Sequence, residues 1–167
     1  IFSNIQNNRV ESRCVILRHF DKENKTLVFN TDIRSPKVEA IRKNPETHCL
    51  FYHFQEKTQL RVSTHSTIHY NDELHRAGWK NTAISSRKCY LTKYAPSQGI
   101  KKMDDGIPSH LLAKIPTADE SELGKINFAV ITNKIMSVDW LYLSSSGHKR
   151  ARYEFNDGSI NKAWLAP

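Results

Sequence analysis

The stretch 13–30 constrains this chain more than any other. Arg13-Cys14-Val15-Ile16-Leu17-Arg18-His19-Phe20 is dense in branched and apolar side chains, Asp21-Lys22-Glu23-Asn24-Lys25 breaks the run, and Thr26-Leu27-Val28-Phe29-Asn30 resumes it. Such side chains pack well on a pleated surface and lose rotamer freedom in a helix, so the pattern specifies a β-hairpin. Comparable runs cover 48–54 and 59–70 around Gln55-Glu56-Lys57-Thr58, then 128–131, 135–143 and 151–155. Asn156-Asp157-Gly158-Ser159 reads as a tight turn before a closing segment. Helices are fewer. Ser35-Pro36 supplies a cap and a proline at the first helical position, Val38, Ala40 and Ile41 an apolar stripe, and Asn44-Pro45 a stop. Asn71-Asp72 caps a second helix through Leu74 and Trp79, with 80–93 expected to continue it. Prolines 96, 108 and 116 mark 94–124 as a long irregular loop of the kind that forms lids or interfaces. The pattern as a whole predicts one strand-dominated, antiparallel, barrel-like domain over 1–167 with a few helices.

No apolar run approaches the length needed to cross a bilayer, and no leader precedes a cleavage site, so the expected location is cytoplasmic, without membrane. The chain opens at Ile1-Phe2 with no methionine, and an N-terminal piece is expected to precede it. Cys14, Cys49 and Cys89 are widely spaced and odd in number, a pattern of reduced thiols; no metal site is assigned. The histidines, His65 and His69 among them, lack companions at ligand spacing. A formal net charge of +8 attracts anions of any kind, which leaves nucleic acid, anionic lipid and phosphorylated small molecules open. Nucleic acid is disfavoured: alternation buries half of the aromatic run Phe51, Tyr52, Phe54 that would stack on bases.

Several basic residues sit where an anion can be held. Asn30-Thr31-Asp32-Ile33-Arg34-Ser35-Pro36-Lys37 joins a strand to a helix, so hydroxyls of Thr31 and Ser35, the positive helix end, and the charges of Arg34 and Lys37 converge on one turn. An ordinary capped helix reads the same way. Arg13 and Arg18 lie five positions apart and point to opposite faces of a regular strand, so a shared ligand requires a bulge or a second subunit. Gln59 and Arg61 share one face of their strand. His148, Arg150 and Arg152 alternate with Lys149 and Ala151, placing an imidazole and two guanidiniums in one row. Trp140 can pack on a flat ring or in the core. No nucleophile elbow, phosphate-binding loop or dinucleotide glycine fingerprint occurs.

Taken in order, these stretches resemble the pyridoxamine 5'-phosphate oxidase family. Arg13-Cys14-Val15-Ile16-Leu17-Arg18 is similar to its Arg-x-Val-Leu-Leu-Lys strand, and Phe29 through Lys37 to its Phe-Tyr-Thr-Asn-x-x-Ser-Arg-Lys segment. Asn44-Pro45 falls at the family's helix end, Gln59-Leu60-Arg61-Val62 at its Arg-Gln-Val strand, and Ser97-Gln98 at its Gln-Ser element. Trp140 with Arg152, and the closing Trp164-Leu165-Ala166-Pro167, complete the match. The resemblance implies an antiparallel Greek-key split β-barrel that binds FMN as a homodimer, the flavin lying at the subunit interface. It assigns the phosphate to Arg13, Arg34, Ser35 and Lys37 and the flavin ring to Gln59, with Val15, Ile16, Arg18, Asn30, Thr31, Gln98, Trp140 and Arg152 as further contacts.

Departures from the pattern are specific. Pro36 replaces an arginine, with Arg34 as the substitute charge, and Arg18 stands where lysine is usual. The Tyr-x-x-x-Arg-x-x-x-Ser helix that holds the oxidase's substrate phosphate has no counterpart near 79–87, and the substrate pair Arg-x-His becomes His148-Lys149-Arg150. The implied function is an FMN-dependent oxidoreductase acting on a small substrate, with no catalytic residue assigned; His148 and Arg150, from their shared strand face, are the candidates for recognising an anionic substrate. The alternative is a non-catalytic FMN or haem binder, a sensor or carrier on the same barrel.

Overall fold

A computed structural model describes residues 1–156 and 158–167. The chain begins with a hairpin that the sequence reading passed over. β1 (Phe2–Gln6) and β2 (Arg9–Arg13) pair antiparallel with Gln6 opposite Arg9, so Asn7 and Asn8 alone make the turn. Both have positive φ, 51° and 60°, as a mirror-image two-residue turn requires, and asparagine tolerates this better than most side chains.

The chain divides into two compact units. The larger comprises 1–29, 40–67 and 132–167 and carries most of the sheet. The described strands are β1, β2, β3 (Leu17–Asp21), β4 (Thr26–Asp32), β5 (Glu46–His53), β6 (Thr58–His69), β7 (Phe128–Tyr142), β8 (Lys149–Asn156) and β9 (Ser159–Leu165), of which 30–32, 68–69 and 128–131 belong to the smaller unit. The order is β2-β1-β5-β6-β7-β4-β3, with β8 also pairing β7 and β9 lying beyond β8. Neighbours such as β1 and β5, or β7 and β4, are far apart in sequence, and among the described residues the sheet does not close on itself. This is the antiparallel split barrel that the resemblance implied.

Three strand boundaries differ from the sequence reading. Residues 14–16 belong to no strand, and a register shift follows between Leu17 and His19. The single strand expected over 13–20 is therefore two, β2 and β3. The strands expected at 128–131 and 135–143 are the one long strand β7, and the closing segment is β9. The turn expected at 156–159 includes Asp157, which lies outside the described residues.

Phe2 and Phe29 meet edge to face at 5.7 Å in the core of this unit, beside Leu27, Ile41, Cys49 and Val62. Through that core runs a polar line. Thr47 Oγ1 lies 2.7 Å from Thr64 Oγ1 and 2.6 Å from Ser66 Oγ, Ser66 donates to Asn133 Oδ1 (2.6 Å), and Asn133 Nδ2 donates to the Leu27 carbonyl (2.9 Å). Buried hydroxyls tolerate an apolar interior only when so paired, and the pairing fixes strand register.

The smaller unit comprises 30–39 and 68–131. Its main helix, α2 (Glu73–Asn81), begins where the sequence placed it: Asp72 caps it by accepting from the His75 N–H at 2.8 Å. Trp79, Tyr90 and Phe128 pack edge to face at 5.1–5.9 Å. Gly78 is required here, since a Cβ would lie 2.6 Å from Val130 Cγ2. The helix expected to continue over 80–93 is interrupted after Asn81. Thr82 is extended, its N–H closing on Trp79 and its hydroxyl donating to the Gly78 carbonyl (2.7 Å). A short helix α3 (Ile84–Arg87) and a 3₁₀ turn at Lys88–Tyr90 follow. The 94–124 stretch is largely irregular, but contains α4 (Ala118–Glu122), which Thr117 and Glu120 start as a reciprocal capping box. Among the described residues no helix is long and apolar enough to cross a membrane.

Candidate functional site

The junction of β4 with α1 (Pro36–Lys43) gathers the first candidate group, all within the smaller unit. Helix α1 starts where the sequence predicts, with Ser35 accepting from the Val38 N–H at 2.9 Å and Pro36 at the first helical position. The Ile33 N–H, bonded to the Asn127 carbonyl at 2.8 Å, anchors the approach. Lys37 reaches back over this turn, and its Nζ donates to Ser35 Oγ (2.8 Å) and Thr31 Oγ1 (3.1 Å). Thr31 and Ser35 are each 6% exposed, Lys37 partly so. Two hydroxyls and an ammonium at the positive end of an eight-residue helix form a cradle with the chemistry of a phosphate site.

Arg34 does not join them. Its Nε and Nη2 grip Asp32 in a fork (3.0 and 2.7 Å), and Nη1 and Nη2 donate to the Thr92 carbonyl and hydroxyl (3.0 and 3.1 Å). Donating these hydrogen bonds to Asp32 raises the guanidinium's pKa above its ordinary value. Asn30 turns to Thr82, its Nδ2 donating to Oγ1 at 3.1 Å. Gln98 is exposed and accepts from the Ala95 N–H at 3.0 Å.

The larger unit carries the other candidates. Arg13 is half-buried, bonded through Nη1 to Asn4 Oδ1 and lying 5.9 Å over the Phe2 ring, with its pKa lowered by burial. Val15 is half-buried, and Ile16 and Arg18 are exposed. Residues 14–16 form no strand, so Arg13 on β2 and Arg18 on β3 do not lie on one regular strand. Gln59 lies opposite Tyr52 and, like Arg61, on one face of β6. Arg61 Nη2 bonds Asp139 Oδ2 at 2.6 Å, and Arg150 holds the same carboxylate through Nε and Nη2 (3.1 and 2.8 Å). The Arg150 bonds foremost hold Asp139 below the usual carboxylate range, and Asp139 raises Arg150 in turn. His48 on β5 has its pKa lowered, by burial first and the Arg61 charge second.

The row expected at 148–152 is shorter than the alternation suggests. β8 begins at Lys149, and His148 sits in the preceding turn, where its Nδ1 accepts from the Ser144 N–H at 3.1 Å. Arg150 and Arg152 share a strand face, but Arg152 Nε pairs with Glu154 at 3.1 Å. Trp140 is half-buried and stacks nearly parallel on Tyr142, with centroids 6.4 Å apart.

Asp32, Thr92 and Asp139 were missed by the sequence reading. Asp32 was legible as an acid two residues before Arg34; Asp139 was hidden because its partners lie 78 and 11 residues away. In the region of the oxidase's substrate-phosphate helix, Arg87 is buried, stacked 4.6 Å over Trp79 and bonded to Thr82 and Trp79 carbonyls and to Glu122. Among the described residues no group of three His, Cys, Asp or Glu side chains could hold a metal ion.

Residues 2–70 match the family model described as pyridoxamine 5'-phosphate oxidase, FMN-binding domain. No curated protein matches the chain by sequence. A pyridoxamine 5'-phosphate oxidase-related, FMN binding protein of Nostoc punctiforme shares its fold at a TM-score of 0.78 and 23% identity, over 99% of this chain and 86% of that one. PhzG of Burkholderia lata, solved with tetrahydrophenazine-1-carboxylic acid, does so at 0.71 and 15% identity, over 99% and 80%. A Clostridium acetobutylicum protein related to general stress protein 26 superposes at 0.52 with 10% identity, over 98% and 83%. At these identities the likenesses speak for the fold alone. Residues 2–70 thus match an FMN-binding domain described for pyridoxamine 5'-phosphate oxidase, and the described strands form the split barrel.

Proposed function

We propose that this chain binds FMN through the β4–α1 cradle and serves as an FMN-dependent oxidoreductase, working as a homodimer. The observation that carries this reading is Lys37 held between the hydroxyls of Thr31 and Ser35 at the start of α1, inside the stretch that matches the FMN-binding domain. The donor set fits a phosphate monoester. An ammonium neutralises one charge, two hydroxyls donate to phosphate oxygens, and the helix dipole favours the anion. Bound FMN supplies hydride acceptance at its N5; the chain's own residues bind, orient and shield. The resemblance gives the flavin ring to Gln59 and Trp140, and Arg150, which shares the single Asp139 carboxylate with Arg61 so that the trio keeps one net positive charge, is the candidate for an anionic group of the substrate.

The substrate differs from that of the true oxidase. Arg87, which falls in the region of that enzyme's phosphate-binding helix, is buried under Trp79 and bonded on several sides, and a buried arginine so engaged does not offer itself to a phosphate. The same observation favours the second reading, a flavin carrier or sensor without turnover. Exposed apolar side chains on the larger unit, among them Val10, Ile16 and Trp164, support a partner copy. Absorbance spectra before and after FMN addition, with gel filtration, test the reading. Stoichiometric flavin migrating with a dimer supports it; a folded protein that takes up none removes it. Turnover assays with amine, pyridoxamine phosphate and nicotinamide donors then separate enzyme from carrier.

A further inference from the structure

The smaller unit contains one arginine whose bonding is at odds with the role that its position suggests. Arg34 is two residues before Pro36 and in reach of the cradle's turn, yet four of its side-chain hydrogen bonds go to the protein itself, two to Asp32 and two to Thr92, at 2.7–3.1 Å. Asp32 is 8% exposed and also accepts from the Arg34 N–H (2.8 Å), so it is fixed from two sides. Four of the guanidinium's five N–H groups are so used, and a phosphate that gripped it with two bonds would have to displace a carboxylate that the chain itself holds two residues away. That exchange gains nothing, because the incumbent is already charged, aligned and partly dehydrated.

What Arg34 holds is the start of a loop with tied ends. The Lys93 N–H donates to the Gly106 carbonyl (2.9 Å), Lys93 Nζ pairs with Asp104 (2.6 Å), and Asp104 Oδ1 accepts from the Gly106 N–H (2.8 Å). Tyr94 adds its hydroxyl to Asp104 at 3.3 Å, and Gly106 takes the positive φ of 72° that closes the base. Between these ties residues 97–105 are exposed and include Gln98, Lys101, Lys102 and Met103. Closed ends and an exposed tip are the marks of a compact surface loop.

We propose that Arg34 is a positioning residue: it fastens the loop 92–106 beside the phosphate cradle and leaves the phosphate to Lys37, Thr31 and Ser35. For its ligand the proposal rests on the FMN reading above. The loop carries Gln98, which the resemblance assigns to the flavin, so its closure slows ligand release without contributing charge. An ammonium cannot make the fork to Asp32 and reach Thr92 together, so lysine does not replace arginine in this role.

FMN and riboflavin, which differ by the phosphate, are titrated against the full chain and the variants Arg34→Met, Arg34→Lys and Lys37→Met by flavin fluorescence. Trypsin cleavage at Lys101 and Lys102 is followed in parallel. Arg34→Met should weaken both flavins by the same factor, keep the FMN preference over riboflavin, and speed cleavage about fivefold or more as the loop opens. Arg34→Lys should resemble Arg34→Met, while Lys37→Met should erase the preference. The proposal fails if Arg34→Met erases the preference as Lys37→Met does, if Arg34→Lys restores wild-type behaviour, or if cleavage is unchanged. Thr92→Val removes the hydroxyl bond without disturbing the Asp32 fork; if Arg34→Met does not fold, faster cleavage of Thr92→Val supports the strut and unchanged cleavage overturns it. Should the wild-type chain bind neither flavin, the FMN reading falls and the cleavage results alone decide the role of Arg34.

Discussion

Two basic clusters of this protein meet different neighbours. In the cradle Lys37 is met by two hydroxyls, whereas on the β6–β8 face Arg61 and Arg150 are met by one carboxylate. A hydroxyl orients a cation without cancelling its charge, so Thr31 and Ser35 aim the Lys37 ammonium without themselves neutralising it. A carboxylate between two guanidiniums cancels one charge and ties three strands together, β6 through Arg61, β7 through Asp139 and β8 through Arg150. Net charge and basic residues alone did not distinguish the two; the neighbour of each cation does.

Removing the cradle's charge gives the largest expected effect. Lys37→Met should weaken FMN by about 10- to 100-fold, the range set by loss of one charge-assisted hydrogen bond of about 1.5–3 kcal/mol. Riboflavin, which has no phosphate, should bind as before. A fluorescence titration reads both, and equal loss for the two flavins would mean that Lys37 supports the fold rather than the phosphate.

The bridge should respond in stability. Asp139→Asn leaves two part-exposed arginines facing each other, and with Arg61 41% exposed the cost is about 1–2 kcal/mol rather than that of a fully buried pair. Urea midpoints measure it. The pH dependence has a definite sign: the fold holds the Asp139 pKa below its unfolded value, so its contribution is complete above the unfolded carboxylate pKa of about 4 and is lost as pH falls through the lower folded value. Wild type and Asp139→Asn should therefore converge in stability below about pH 4. Parallel curves through that range would show that Asp139 acts by packing instead.

Legibility followed the range of the interactions. The Ser35-Pro36 start of α1, the Asp72 cap of α2 and the strand-rich pattern were readable because each is written within a few neighbouring residues. The Asn7-Asn8 turn was written just as locally but lies in a segment without a strong apolar run, since Asn4 and Ser3 face inward or edgewise in β1 and Val10 faces out. The end of α2 at Asn81 depended on Thr82 and on Arg87, which bonds back to Trp79, so 80–93 read as more helix than it is. In the site, Lys37 and Ser35 were visible from spacing. Arg34 was visible as a charge, but its partner Thr92 lies 58 residues on, and only the fold reveals what the guanidinium holds.

The smallest effect belongs to Arg152, and it separates the two kinds of cluster most finely. Its Nε lies 3.1 Å from Glu154 with both side chains about half exposed, a geometry that contributes within about 0.5 kcal/mol to stability. Arg152→Ala should leave the urea midpoint nearly unchanged, in contrast to Asp139→Asn. If the resemblance is right in giving Arg152 to the flavin, FMN affinity should still fall, by about threefold to tenfold, since a solvent-exposed guanidinium can exchange Glu154 for a ligand more easily than Arg150 can leave Asp139. An Arg152→Ala protein unchanged in both stability and FMN affinity would class Arg152 with neither cluster and leave its charge as part of the general basic field.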